Sequence, residues 1–333
     1  MDKKYLPNLD FLRVVAAYFV MLYHFNWEGD DPVSSLFSYG YLGVYVFFCI
    51  SGFISPLAMK WSGYRLKDWK SFLLSRFFRL YPAFAIIALL ELFLYTNGSW
   101  MGYSYKFDQI TWFQLVTNFT WTAELYKEDW LVPVFWTLAI EAQFIIAILF
   151  IYPLLNHKNE WIRLLPIIVF TVTSYFVGRG DTLPSDFAWT GDTLLSYGVV
   201  FGMGMLVYLH YMKNIRPWVL VLLLALAFFS CARGVSMTWA LTSMGTVVFL
   251  ILMPNLPFRF IPYFGKFAYS FFLIHITFGG AAMFHLRFFP EEWYFQLIRV
   301  LIAGVVSFFA AWVFYYKIEK PFHAFARKIK SKS

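Results

Sequence analysis

Charge is scarce in this 333-residue chain: Asp, Glu, Lys and Arg make up 14% of it, against roughly 25% in an ordinary soluble domain. Cysteine is scarcer still, with only Cys49 and Cys231. That excludes a disulfide framework and a Cys-type metal site, and each cysteine is expected to be structural. Low-complexity segments and clear internal repeats are also missing. No composition shift marks a second domain, so residues 1–333 are expected to form a single unit. The sequence is rich instead in apolar residues, at 60%, with mean hydropathy +0.61 and 41 Phe, 22 Tyr and 14 Trp. A soluble globule of this size has no interior able to hide that much surface. A soluble enzyme, a disordered chain and a nucleic-acid binder are thereby excluded, and the net charge of +8 belongs to membrane topology rather than to phosphate binding.

A membrane-spanning helix needs about 20 mostly apolar residues. Ten stretches qualify: 9–28, 40–60, 77–96, 133–155, 162–178, 190–211, 217–233, 236–254, 264–285 and 292–316. Breakers separate them, among them Asp30-Asp31-Pro32, Arg216-Pro217 and Pro290. No small-residue cleavage site follows the first stretch, which is expected to be a retained helix. With the N-terminus placed inside, 20 of the 27 Lys and Arg fall in inner segments and five (Lys106, Lys127, Arg179, Arg233, Arg287) in outer ones, while Arg13 and Arg299 lie within spans. This asymmetry predicts an all-α, polytopic membrane protein with about ten transmembrane helices and both termini cytoplasmic.

Ionisable groups within a bilayer are costly and point to function. Here they are Arg13, His24, Glu91, Glu141, His275 and Arg299. At 1.5 Å per residue, His24 lies about 21 Å in from the inner face of a core about 30 Å thick, and Glu141 roughly 12 Å below the outer face. Counting thus puts both in the outer half. Arg13 and His24, 11 residues apart, project from one helix face about 16 Å apart. A cation near the cytoplasmic mouth can hold an anionic group, whose flexible arm then reaches an imidazole near the far side. Imidazole suits proton transfer near neutral pH, with a carboxylate to orient it and stabilise its protonated form. Packing alone is the competing explanation for His24, pairing with Asp10 for Arg13, and a mutual ion pair for Glu91 and Arg299.

Arg76 and Arg79 open the third span at i and i+3. They share a face suited to gripping a phosphate, or simply mark the inner membrane face. Gly43 to Phe53 places small residues and the Ser51 hydroxyl in mid-span, for close helix packing or close approach of a ligand. The outer connection 97–132 is rich in aromatics (Trp100, Tyr103, Tyr105, Phe107, Trp112, Phe113, Phe119, Trp121, Tyr126, Trp130). These suit an interfacial belt or stacking on a sugar. The basic tail Lys317–Lys332 is expected to touch anionic headgroups and is given no part in the chemistry.

Together these segments resemble the acyltransferase-3 family of integral membrane acyltransferases. Leu9-Asp10-Phe11-Leu12-Arg13 with His24 resembles its LDxLR opening and Arg-x10-His motif. Gly43–Phe53 resembles GVxxFFxxSGF, Arg76–Pro82 RxxRLYP, Phe135–Glu141 WSLxxE, Gly265–His275 GKxSYSLYLxH, and Ile318–Phe322 IExPF. Thr137, Ala268 and Phe272 depart from the usual Ser, Ser and Tyr, so the resemblance assigns no role to those hydroxyls. The resemblance implies an acyl-CoA donor, usually acetyl-CoA, and a carbohydrate hydroxyl as acceptor on the outer side of a bacterial inner or plasma membrane, with no metal. It makes His24 the catalytic base with Glu141 beside it. Arg13, Arg76, Arg79, Ser51 and Gly52 would then serve the donor, and Trp136 and His275 the substrate. Direct attack and an acyl-His24 intermediate both remain open. Only a short basic tail follows the tenth stretch, so transfer is expected to finish within the membrane unit or pass to a partner. A transporter or flippase of an anionic substrate is the alternative. It predicts paired repeats and helices broken in mid-membrane, neither of which is clear.

Overall fold

The computed structural model describes residues 6–27, 29–97, 110–177, 193–252 and 261–331. Lys3, Lys4, Glu28, Trp100, Tyr103, Tyr105, Lys106, Phe107, Arg179 and Arg259 fall outside them. Every regular element among the described residues is helical and none is a strand. The chain runs through α1 (Pro7–His24), short α2 (Pro32–Ser38), α3 (Gly43–Trp61), α4 (Trp69–Asn97), short α5 (Trp112–Phe119), α6 (Phe135–Leu155), α7 (Glu160–Val177), α8 (Leu194–Tyr211), α9 (Pro217–Gly234) and α10 (Met237–Leu252). It ends with α11 (Ile261–Gly265), α12 (Ala268–Ile274), α13 (Gly280–His285), α14 (Trp293–Phe314) and α15 (Lys320–Ser331). Among the described residues seven helices are long and apolar enough to cross a membrane. The other three expected spans are helical in altered form: α1 carries Asp10 and Arg13, α10 has 16 residues, and 264–285 is interrupted by a π-helical turn at His275–Gly279. Leu89 and Phe93 on α4, Val221 and Phe229 on α9, and Val305 and Phe309 on α14 point outward. Such apolar faces fit lipid rather than water. The protein is an all-helical membrane protein.

The core is built on α3 and α8. Helix α8 is buried from Leu194 to Leu209, apart from the half-exposed Leu195; a helix apolar all round belongs inside. Glycines let the two backbones touch. A Cβ at Gly52 would lie 2.1 Å from the Phe201 carbonyl oxygen, and one at Gly204 2.1 Å from that of Cys49. Cys49 and Cys231 are buried and free, as structural residues are expected to be.

Helix α1 runs parallel to the segment 261–285. Gly265 abuts Asp10, Tyr18 stacks on Phe271 with centroids 4.9 Å apart, and His24 meets His275 at 5.3 Å. The end of the chain differs from expectation. The last helix continues past residue 316 through a second π turn, Tyr315–Glu319, into α15, which packs on α4 through Phe325 and Phe78 at 5.0 Å.

Candidate active site

Seven segments enclose a cavity of about 230 Å³. Arg13 reaches it from α1, Ser51 and Ser55 from α3, Arg76 and Arg79 from α4, and Glu141 from α6. Lys266 enters from the turn before α12, Tyr269 from the start of α12, Glu319 from the second π turn and His323 from α15. Helical spacing explains the arginine pair: residues three apart on α4 share a face. Arg76 lies against the Phe72 ring, its guanidinium carbon 5.2 Å from the centroid, while Arg79 is exposed at the rim. Arg13 does pair with Asp10, at 3.4 Å, and faces the cavity as well. Among the described residues neither Arg76 nor Arg79 has a carboxylate within ion-pair distance. Four cations, Arg13, Arg76, Arg79 and Lys266, face two carboxylates, Glu141 and Glu319, on this cavity, and the excess of positive charge leaves a place for an anion.

Glu141 sits in this cavity too, accepting a hydrogen bond from Ser51 Oγ at 3.1 Å. It is therefore grouped with the arginines, not with His24 as depth counting predicted. The count assumed that α6 begins at the outer face. Instead the segment before it folds back into the bundle: Trp121 packs on Tyr81 and Phe84, and Tyr81 donates to the Phe119 carbonyl at 3.1 Å. Phe135 at the start of α6 meets Phe84, centroids 4.7 Å apart. Phe84 is eight residues, about 12 Å, beyond Arg76 on α4, and Glu141 is six residues, about 9 Å, further along α6. The two helices run in opposite directions, which returns Glu141 to the level of Arg76 and Arg79.

His24 lies elsewhere, as the half-buried last residue of α1. It is 11 residues, about 16 Å, beyond Arg13. Its ring faces His275, at 5.3 Å, and Tyr23, at 5.2 Å. Tyr23 begins a run of rings: Tyr41 at 5.7 Å, then Tyr45, then Trp239 at 4.0 Å from Tyr45, with Tyr197 and Trp136 beside it. Trp136 thus belongs to this aromatic cluster, and neither it nor His275 lines the cavity. Gly52 does not line it either; it faces α8, so its small size serves packing. The expected pair of Glu91 and Arg299 does not form. Glu91 accepts from Thr277 Oγ1, while Arg299 donates to Gln296 Oε1 and the Met283 carbonyl, each at 2.7 Å.

Glu319, His323, Lys266 and Tyr269 were given no role by sequence reasoning. Glu319 is 2% exposed, accepts from Ser270 Oγ, and lies 3.2 Å from His323 Nε2. Its signal was available: it is the one acid in the basic stretch 317–332. Among the described residues no cluster of His, Cys, Asp or Glu could hold a metal ion.

An all-helical membrane protein with a cationic cavity at one end of α1 and a histidine pair at the other is the class defined by this geometry. The chain belongs to the acyltransferase-3 family: the family's sequence profile, described as an acyltransferase domain, matches residues 6–316. It is similar to the peptidoglycan O-acetyltransferase OatA of Listeria monocytogenes, 29% identical over 152 residues, which cover 43% of this chain and 23% of that protein. It is also similar to the Staphylococcus aureus protein named "Putative O-acetyltransferase", 30% identical over 154 residues, 43% of this chain and 24% of that one. The matches thus cover about a quarter of these relatives' length. No solved structure matches the chain.

Proposed function

We propose that this protein is an O-acyltransferase of a bacterial cell membrane. It moves an acyl group, acetyl by analogy with the names of its relatives, from cytoplasmic acyl-CoA to a hydroxyl of a cell-surface or lipid-linked carbohydrate outside. The observation that carries the reading is the pair Arg76 and Arg79, cations with no carboxylate at ion-pair distance among the described residues, in a cavity that also takes Arg13. Phosphates are the anions such a cluster suits. The nucleotide stays at the rim beside exposed Arg79, and the pantetheine arm runs along α1 and α12 toward His24. The approximately 16 Å between Arg13 and His24 is a span for an extended chain of that kind. The run of rings from Tyr23 to Trp136 supplies flat apolar faces on which a sugar stacks.

Ten crossings with both termini cytoplasmic complete the reading. The parallel course of α1 and the segment 261–285 supports it, since two parallel spans are separated by an odd number of others. His24 acts as base, taking the acceptor's hydroxyl proton as that oxygen attacks the thioester carbonyl. Glu141 balances charge among the arginines and leaves the orientation of His24 to another group.

The test compares acetate released by mild alkali from surface glycans of cells producing wild-type protein, His24→Ala, or neither. Wild type is expected to add acetate, and His24→Ala none at an equal level of folded protein in the membrane. Full acetylation by His24→Ala would remove His24 from the chemistry. No acetate from wild type would remove the function.

A further inference from the structure

His275 is fully buried and opens the π turn His275–Gly279; such turns occur often at functional sites. Its Nδ1 lies 2.8 Å from the Phe272 carbonyl oxygen. That oxygen has no proton to give, so Nδ1–H is the donor and Nε2 carries a bare lone pair. Nε2 is buried without a hydrogen-bond partner, a condition that native proteins rarely tolerate without a use. The rings packed around this imidazole are Phe25 at 6.0 Å, Phe272 at 6.1 Å, Phe271 at 6.2 Å and His24 at 5.3 Å. Of these neighbours only His24 offers an N–H. Two imidazoles joined by one N–H···N bond have centroids roughly 5–5.5 Å apart, and this pair already stands at that separation.

The second imidazole is held rigidly. A Cβ at Gly279 would lie 2.3 Å from both Phe25 Cζ and Ser307 Oγ, so the π turn is pressed against α1's end and α14. Thr277 ties the same turn to Glu91 on α4. His24, by contrast, is half-buried as the last residue of its helix. Hydrogen bonds of this kind commonly close only when substrate is bound.

We propose that His275 is the positioning residue for His24: its bare Nε2 accepts the N–H of His24 and leaves the opposite nitrogen of His24 free as base. The inference rests on the acyl-transfer reading above and supplies the orienting group that Glu141 does not provide. The acceptor's O–H bond breaks and its proton goes to the free nitrogen of His24. The acceptor oxygen bonds to the thioester carbon, and the C–S bond breaks. The departing sulfur then takes that proton, returning His24 to neutral. His275 keeps its own proton on Nδ1 throughout and stabilises the His24 imidazolium by accepting from it.

The test uses the whole chain in lipid nanodiscs, labelled with ¹⁵N-histidine, and the same variants in cells. His275→Phe keeps a ring but removes the acceptor; His275→Gln restores an acceptor oxygen. In cells His275→Phe is expected to lower glycan acetylation at least 100-fold, and His275→Gln to recover to within tenfold of wild type. CoA binding to both purified variants is expected to stay within twofold of wild type, which a merely structural role would not allow. In wild-type protein the unprotonated Nε2 resonance of His275 is expected to move when His24 is changed to Phe. This arm needs no activity and no folded His275 variant. Wild-type acetylation by His275→Phe, or an Nε2 resonance indifferent to His24→Phe, overturns the inference. Absence of transfer by wild type instead removes the reading on which it rests, with the resonance still reporting the contact.

Discussion

Glu141→Gln separates two roles for one carboxylate. Gln keeps the size of the side chain and an oxygen able to accept from Ser51 Oγ, now 3.1 Å away, so the charge is the main change. Depth counting put Glu141 beside His24, where loss of charge would slow the chemical step by about 10²–10⁴. The structure puts it on the wall of the cavity that Arg13, Arg76 and Arg79 share, where it repels any bound phosphate. At about 7 Å and an effective dielectric constant near 20, two unit charges interact by about 2.4 kcal/mol. Access of water past exposed Arg79 reduces this to about 1 kcal/mol, so CoA is expected to bind roughly fivefold more tightly. The arginines lose a counter-charge, so the free protein should melt lower and regain most of the difference when CoA is added. Calorimetric titration with CoA and melting curves with and without it provide the readings. Unchanged CoA affinity with a hundredfold loss of acetyl transfer would refute this account and return Glu141 to His24.

The double change Arg76→Ala with Arg79→Ala is expected to weaken CoA binding at least tenfold, since charge-assisted contacts to phosphate contribute about 1.5–3 kcal/mol each. Pantetheine, which lacks the nucleotide phosphates, should bind the variant and wild type alike in the same titration. Glu319→Gln removes the charge that holds Ser270 and His323 together. It should destabilise the protein by roughly 1–3 kcal/mol and make α15 more susceptible to protease, as followed by the rate of C-terminal clipping. Gly52→Leu forces α3 away from the Phe201 carbonyl and is expected to lose about 3 kcal/mol or more. Gly245→Ala, with nothing within 4 Å of its added Cβ, should melt no lower than wild type.

Much of this protein follows from order along the chain alone. Apolar length dictates helices, because a backbone in lipid must satisfy its own hydrogen bonds. Three-residue spacing puts Arg76 and Arg79 on one face, and the eleven-residue spacing of Arg13 and His24 aligns them along α1. These are properties of a single helix, and the structure keeps them. Distances between helices are of another kind. Glu141 could be counted to the arginines only by knowing that residues 110–134 fold back onto Tyr81 and Phe84 and that α6 starts with Phe135 against Phe84. Glu319 and His323 enter the cavity because a π turn at Tyr315–Glu319 carries the last helix onto α4, a register shift that no hydrophobic period records. The meeting of His24 with His275 depends on α1 running parallel to α12, a choice made by packing among many helices. Local periodicity determines which side chains share a face; only tertiary packing decides which faces meet.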